Sequence, residues 1–329
     1  MAYIGISTGG NPPPAALAYV DYVEIKKISK HDAAAVRSLT DKPVYFHIQF
    51  SPEGLYLLPT AMDFELYADD LKAADSVAYP EKVSLHFGLS APTISLHRNG
   101  YYAIAAEAPL TRARISDTLE KNLSIIKNCF PKSAMLLENQ EYIPEYLCGG
   151  AYRYIQEADF FSEQVTRWHD MGLVDGIVFD IAHALVTAGN HPYYNGLAKY
   201  TIDNHPLHSG PSKHASGSRR CDDPVQTGPE YIHELSTIPS NRLYDFYSRY
   251  IRLLPLHLIR EIHISGIHRN KQGVYVDAHN EIGALELKAL RHVLDYASSS
   301  AAQMPVTLEY ASIEENIIPQ LQELREFLS

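Results

Sequence analysis

The segment EIHISGIHRNKQGVYVDAHNEIG, Glu261 to Gly283, gathers His263, His268, Asp277 and His279 around the end of one short apolar run. Comparable residues recur along the chain at comparable places: His47, His86, Glu138, Asp180 with His183, and Glu309. Neutral imidazoles and carboxylates are ligands for iron, manganese and zinc, and a carboxylate can bridge two such ions. His47, His86, Glu138, Asp180, His183, His263, Asp277, His279 and Glu309 make nine such donors, too many for a single ion. The pattern therefore predicts a cluster of metals. Taken singly, a strand histidine such as His86 is more simply a satisfied core residue, and Glu138 could pair with an arginine. Six successive strands each ending in His, Asp or Glu are not explained by core packing, because buried charges are rarely kept without partners.

The elements that must position these residues alternate. Strand-like runs begin at Tyr3, Tyr22, Val44, Val83, Met135, Gly176, Glu261 and Val306, with helical patterns between most of them. In one helical stretch Ile115, Leu119, Leu123 and Ile126 repeat at three- and four-residue spacing, which makes one buried face. Ser312 and Glu315 offer a capping box for a last helix along Ile317, Leu321, Leu324 and Leu328, with Pro319 near its first turn. Eight strands alternating with helices predict an α/β fold, a single (β/α)8 TIM barrel over residues 1–329. The C-terminal strand ends of such a barrel converge on one bowl, where the nine donors would meet. From about Ala184 to Ser240 the rhythm breaks into a His-, Pro-, Gly-, Ser- and Asn-rich stretch, a lid or insert after strand six. His191, His205, His208 and His214 in this stretch are expected to be solvated or lid residues, and Lys213, Arg219 and Arg220 to contact a carboxylate or acidic peptide.

Composition excludes several classes. The chain of 329 residues is 46% hydrophobic with a formal charge of -11, which argues against a nucleic-acid partner. No apolar run approaches the ~20 residues of a membrane helix, and the N-terminus lacks a basic region followed by an apolar run. Cys129, Cys148 and Cys221, an odd number without paired spacing, suit a reducing cytoplasm and no disulfide framework.

The blocks VYFHIQFS, VSLHFGLS, LLEN, FDIAHALV, EIHISGIH, VDAHNEIG and VTLEYAS resemble, in order, those of the multinuclear non-heme iron-dependent oxidative enzymes, which include the methanobactin-biosynthesis oxidase. The resemblance runs from the first strand to the last. It departs at one extra residue between His263 and His268, and at His183, where the family has an asparagine. Endonuclease IV, in the wider xylose isomerase-like superfamily, is similar in its Asp-x-x-His, Asp-x-His and final Glu. The resemblance implies three sites: His47, His86 and Glu138; Glu138 bridging to Asp180, His263 and Glu309; and His183, Asp277 and His279. Asn139 and His268 would support the metals or touch substrate. It further implies two or three irons of mixed valence that use dioxygen on a residue, often a cysteine, of a ribosomally made peptide, with a partner protein possible for peptide recognition. Zinc or manganese would suit the same ligands. The alternatives are an endonuclease IV-like zinc phosphodiesterase and a single-metal sugar isomerase or epimerase. The latter needs only Glu138, Asp180, His263 and Glu309, which leaves the other five donors without a role. A metal-binding module without catalysis is a further reading.

Overall fold

The computed structural model describes residues 3–8, 12–26, 28–48, 68–96, 103–197, 229–297, 304–309 and 316–329. Eight parallel strands close on themselves: β1 (Tyr3–Thr8), β2 (Tyr22–Ile25), β3 (Val44–His47), β4 (Lys82–His86), β5 (Ala134–Glu138), β6 (Gly176–Asp180), β7 (Ile259–Ile264) and β8 (Pro305–Glu309), with β8 pairing back onto β1. These are the eight runs read from the sequence. The TIM barrel is therefore the observed architecture. Helices Lys30–Leu39, Ala68–Ala78, Arg112–Cys129, Ala158–Asp170, Leu243–Tyr250, Ala284–Ala297 and Ile317–Leu328 lie around it, and a 3₁₀ turn, Ala16–Tyr19, lies between β1 and β2.

The helices form where the sequence places an apolar stripe. Ile115, Leu119, Leu123 and Ile126 of Arg112–Cys129 are all fully buried, each contributing about 2 kcal/mol by leaving water. Ser29 starts Lys30–Leu39 by accepting a hydrogen bond from the Asp32 amide at 3.0 Å. Pro319 falls in the first turn of Ile317–Leu328, where its missing N–H leaves no helical bond unmade. Ser312 and Glu315 lie outside the described residues.

At the N-terminal end of the barrel three tyrosines make a floor. Tyr22 stacks between Tyr3 and Tyr45, with ring centroids at 5.1 and 4.2 Å. Gly5 makes room for it, since a Cβ there would stand 2.2 Å from the Tyr22 ring. Two hairpins decorate the opposite end: Ile94–Leu96 with Ala103–Ala105, and Gly266–Arg269 with Tyr275–Asn280. The first covers a small separate core that includes Leu89, Ile143, Cys148 and Tyr152.

The stretch after β6 differs from its sequence expectation. Residues 184–190 are not irregular; they belong to the helix Ile181–Asn190, every residue of which is buried. Gly189 sits inside it because a Cβ would meet the Tyr275 ring at 2.6 Å. His191, expected in solvent, is 3% exposed and packs against the Tyr142 and Tyr194 rings. One of these, Tyr142, is distant in sequence, a context that local composition does not reveal. A second helix, Pro229–Thr237, occupies the far end of the stretch. Residues 198–228, with His205, His208, Lys213, His214, Arg219, Arg220 and Cys221, lie outside the described residues. Among the described residues no helix is long and apolar enough to cross a membrane.

Candidate metal centre

Strand register levels the candidate ligands. His86 pairs with Glu138 across β4 and β5, Asp180 with His263 across β6 and β7, and Ser7 of β1 stands level with both Glu24 and Glu309. Because side chains alternate along a strand, residues at matched levels point together into the barrel. The imidazoles form an arc, with ring centroids 5.1 Å apart for His47 and His86, 5.5 Å for His47 and His263, and 5.2 Å for His86 and His183.

Glu138 stands at the centre. Its Oε2 lies 3.5 Å from both His47 Nε2 and His86 Nε2, and its Oε1 lies 3.2 Å from His183 Nδ1. His47 donates from Nδ1 to Ser84 Oγ at 2.9 Å, while the Ser84 hydroxyl donates to the Phe46 carbonyl. That pair of bonds leaves the lone pair of His47 Nε2 facing Glu138. Burial holds both His47 and His86 well below the ordinary histidine range, in the neutral form that ligates a metal.

Asp180 has two tasks. Its Oδ1 caps the helix Ile181–Asn190 by accepting from the His183 amide at 2.6 Å, and its Oδ2 is buried without a hydrogen-bond partner. The Asp-x-x-His spacing is thus a helix cap followed by the third helical residue, which brings His183 over the bowl. His183 Nδ1 lies 2.8 Å from the Asn139 carbonyl, and Nε2 lies 3.6 Å from Asp277 Oδ2. Burial would lower His183, but Asp180, Asp277 and Glu138 hold it well above its ordinary value. Asn139, a candidate for substrate contact, spends both ends of its amide on the Asp180 backbone, donating to its carbonyl at 3.0 Å and accepting from its N–H at 2.8 Å. It fixes the position of Asp180.

Asp277 and His279 come from the second hairpin, whose register shifts between Gly266 and Ile267. Such an irregularity re-aims the side chains that follow. His279 has a positive φ of 45°, a left-handed conformation costly for a side chain and common at functional sites. Its Nδ1 lies 3.4 Å from Asp277 Oδ2 and its Nε2 lies 3.0 Å from Glu309 Oε2. Asp277 Oδ1 accepts from Ser265 Oγ at 2.7 Å. With the His279 and His183 charges beside it, the Asp277 carboxyl is held well below the usual carboxylate range despite burial. His268, the other candidate, is exposed on this hairpin and is not among the buried donors.

Four groups of three residues bring donor atoms within 4.8 Å of one another: His47, His86 and Glu138; Asp180, His263 and Glu309; Glu138, Asp180 and His183; and Glu24, His47 and His263. The first two coincide with sites implied by the sequence resemblance. The third implied site is linked pairwise through Asp277, while His183 also closes on Glu138 and Asp180. The donors fit bound cations. Glu138 Oε2, Asp180 Oδ2 and both His263 ring nitrogens are buried without completing a hydrogen bond, an arrangement that costs several kcal/mol unless charge is supplied. The donors are nitrogen and oxygen without sulfur, which suits iron, manganese or zinc.

Four residues of this centre were not singled out in the sequence. Glu24 of β2 is fully buried against His263. Lys26 Nζ lies 2.8 Å from Glu309 Oε1. Glu261, beneath His263, is bonded by Thr307 Oγ1 at 2.7 Å and faces Lys82 at 3.7 Å. Half-buried Glu141 is pushed by burial up to about 7, against the pull of His183. A glutamate in the middle of the apolar run YVEIK was the available signal for Glu24.

Fold and centre together define a (β/α)8 barrel with a candidate multi-cation site at the C-terminal strand ends. Neither a scan against protein-family models nor a search of curated proteins finds a match. Among solved structures the chain is similar to an endonuclease IV from Thermus thermophilus, with 13% identity, a TM-score of 0.51, and 99% of this chain and 98% of that one covered. It is also similar to a D-psicose 3-epimerase from Clostridium cellulolyticum (10% identity, TM-score 0.47, 99% and 98% covered). A third is a family 2 AP endonuclease from Brucella melitensis (10% identity, TM-score 0.44, 94% and 92% covered). The likeness to the Thermus thermophilus structure supports the barrel and, at such identity, the barrel alone.

Proposed function

We propose that this chain is a multinuclear non-heme iron oxidase that uses dioxygen to modify a substrate, a residue such as cysteine in a ribosomally made peptide. The observation that supports it most is the gathering of imidazoles and carboxylates in one bowl: seven of the nine candidates fall in groups with donor atoms within 4.8 Å, Asp277 and His279 join by pairwise contacts, and buried oxygens of Glu138 and Asp180 complete no hydrogen bond. That many donors call for more than one cation, whereas a single-metal epimerase would leave His47, His86, His183, Asp277 and His279 idle. The ordered sequence blocks favour iron chemistry, and the formal charge of -11 weighs against a DNA phosphodiesterase.

In this reading His47, His86 and Glu138 hold one ion; Glu138, Asp180, His263 and Glu309 a second; and His183, Asp277 and His279 a third. Bound iron supplies one-electron chemistry with dioxygen, for which the protein has no side-chain substitute. The chain's own residues orient and shield. Ser84 and the Asn139 carbonyl aim His47 and His183, and the tyrosine floor closes the site from below. Arg219 and Arg220, outside the described residues, are proposed to hold an acidic group of the substrate. Replacing both with Ala should raise the KM several-fold and leave metal content unchanged; unaltered turnover at limiting substrate would remove them from this role.

Anaerobic purification followed by metal analysis and Mössbauer spectroscopy tests the reading, followed by oxygen uptake with any short cysteine-containing peptide that a neighbouring reading frame encodes. Iron in multiple sites and peptide-dependent oxygen uptake are expected. Zinc-loaded protein that cleaves abasic DNA without oxygen uptake would establish the phosphodiesterase reading instead.

A further inference from the structure

We propose that Glu24 is a positioning residue that holds His263 from beneath, so that His263 presents Nδ1, and not Nε2, to the metal centre. His263 is fully buried and has carboxylates on both sides. Its Nδ1 faces the bowl, 3.2 Å from Glu309 Oε1 and 3.7 Å from Glu138 Oε2. Its Nε2 faces the barrel interior, 3.2 Å from Glu24 Oε2 and 3.7 Å from Glu261 Oε1.

The two lower carboxylates are not equivalent. Glu261 is already engaged by Thr307 Oγ1 at 2.7 Å, the Tyr22 hydroxyl at 3.3 Å and Lys82 Nζ at 3.7 Å. Glu24 is fully buried, and neither of its oxygens completes a hydrogen bond. A carboxylate in that position is strongly unfavourable unless it faces positive charge or a charge-polarised N–H. The 3.2 Å contact from His263 Nε2 places such an N–H beside it, short of regular hydrogen-bond alignment. The histidine χ2 torsion is soft, so a small ring rotation completes the bond once Nδ1 is drawn to a cation. A metal on Nδ1 then polarises Nε2–H, and Glu24 accepts it, which locks the tautomer and raises ligand basicity.

The competing geometry has Glu24 as a ligand itself. Glu24, His47 and His263 also bring donor atoms within 4.8 Å of one another, and an ion there would take His263 Nε2. Choosing between these ring nitrogens decides where the second ion sits: up in the open bowl with Asp180 and Glu309, or down inside the barrel. Ser84 already commits His47 Nε2 to the Glu138 side, and Lys82 already supplies positive charge at the floor. Both favour the upper position.

This assignment rests on the metal reading of the bowl and is independent of iron or oxygen chemistry. The test uses the full chain loaded with zinc and labelled with ¹⁵N at histidine. Long-range ¹H–¹⁵N correlation spectra should show His263 coordinated through Nδ1 and protonated at Nε2. Coordination through Nε2 would overturn the assignment while leaving the metal centre standing. Failure of zinc to bind at all would overturn both. In Glu24→Gln, zinc affinity at one site should fall roughly 10- to 100-fold, the range for a group that orients a ligand, with the remaining sites unchanged. Loss of that ion at saturating zinc would mark Glu24 as a ligand, and unchanged affinity would leave it without the role.

Discussion

Among the donors in the bowl, Glu138 is the one that four imidazoles approach, those of His47, His86, His183 and His263. Both His47 and His86 approach the same Glu138 oxygen, while His183 approaches the other. A group shared between ions should cost more when removed than a group serving one. Glu138→Gln is therefore expected to lose more metal than His86→Ala, measured as ions per chain by mass spectrometry after desalting. Equal small losses would rule out a bridge. The nine candidate donors were picked from the sequence because His, Asp and Glu at and just beyond strand ends are rare without a reason, and the structure places them around one bowl. Glu24, Lys26 and Glu261 were not. Their significance lies in what faces them across the barrel, from strands hundreds of residues away in the case of Tyr22 and Glu261.

At the scale of elements, strand–helix alternation made the barrel legible, since the eight apolar runs are the eight strands. Irregular connections were less so: Ala184–Asn190 resembles a loop by its Gly, Asn and neighbouring His, yet tertiary burial makes it helix. That helix carries His183 at its third position. His183→Asn should keep the Asp180 cap, which uses the backbone amide, and so keep the fold while losing one ion. An unchanged ion count by metal analysis would remove His183 from the ligands. Tight packing elsewhere is less forgiving. At Gly5 even a methyl group would collide with the Tyr22 ring, 2.2 Å from its carbon atoms. Overpacking of this kind costs typically 1–3 kcal/mol, so Gly5→Ala should lower Tm by roughly 2–10 °C. A Tm within a degree of the parent would mean that the tyrosine floor gives way freely.

Over the whole molecule, the described interior gathers more carboxylates than lysines and leaves imidazoles or bound cations to offset them. Glu24, Glu138, Asp180, Asp277, Glu309 and Glu261 are buried together, against Lys26 and Lys82 as facing lysines. Cations bound only by the folded state should therefore stabilise it by mass action, by about 4 kcal/mol for an ion present at a thousand times its Kd. Chelation should lower Tm by on the order of 10 °C, with recovery on adding metal back; an unchanged Tm in calorimetry would contradict a buried, cation-dependent centre. The closed floor has a consequence for traffic. Tyr3, Tyr22 and Tyr45 pack across one end, and among the nine candidate donors the His86 and His279 side chains, 16% and 32% exposed, are the most open to solvent. On the described residues, whatever reaches the donors would pass the same two rings as whatever leaves. A bulky molecule seated over those two rings is then also a stopper, so the order in which visitors arrive governs what the centre can do.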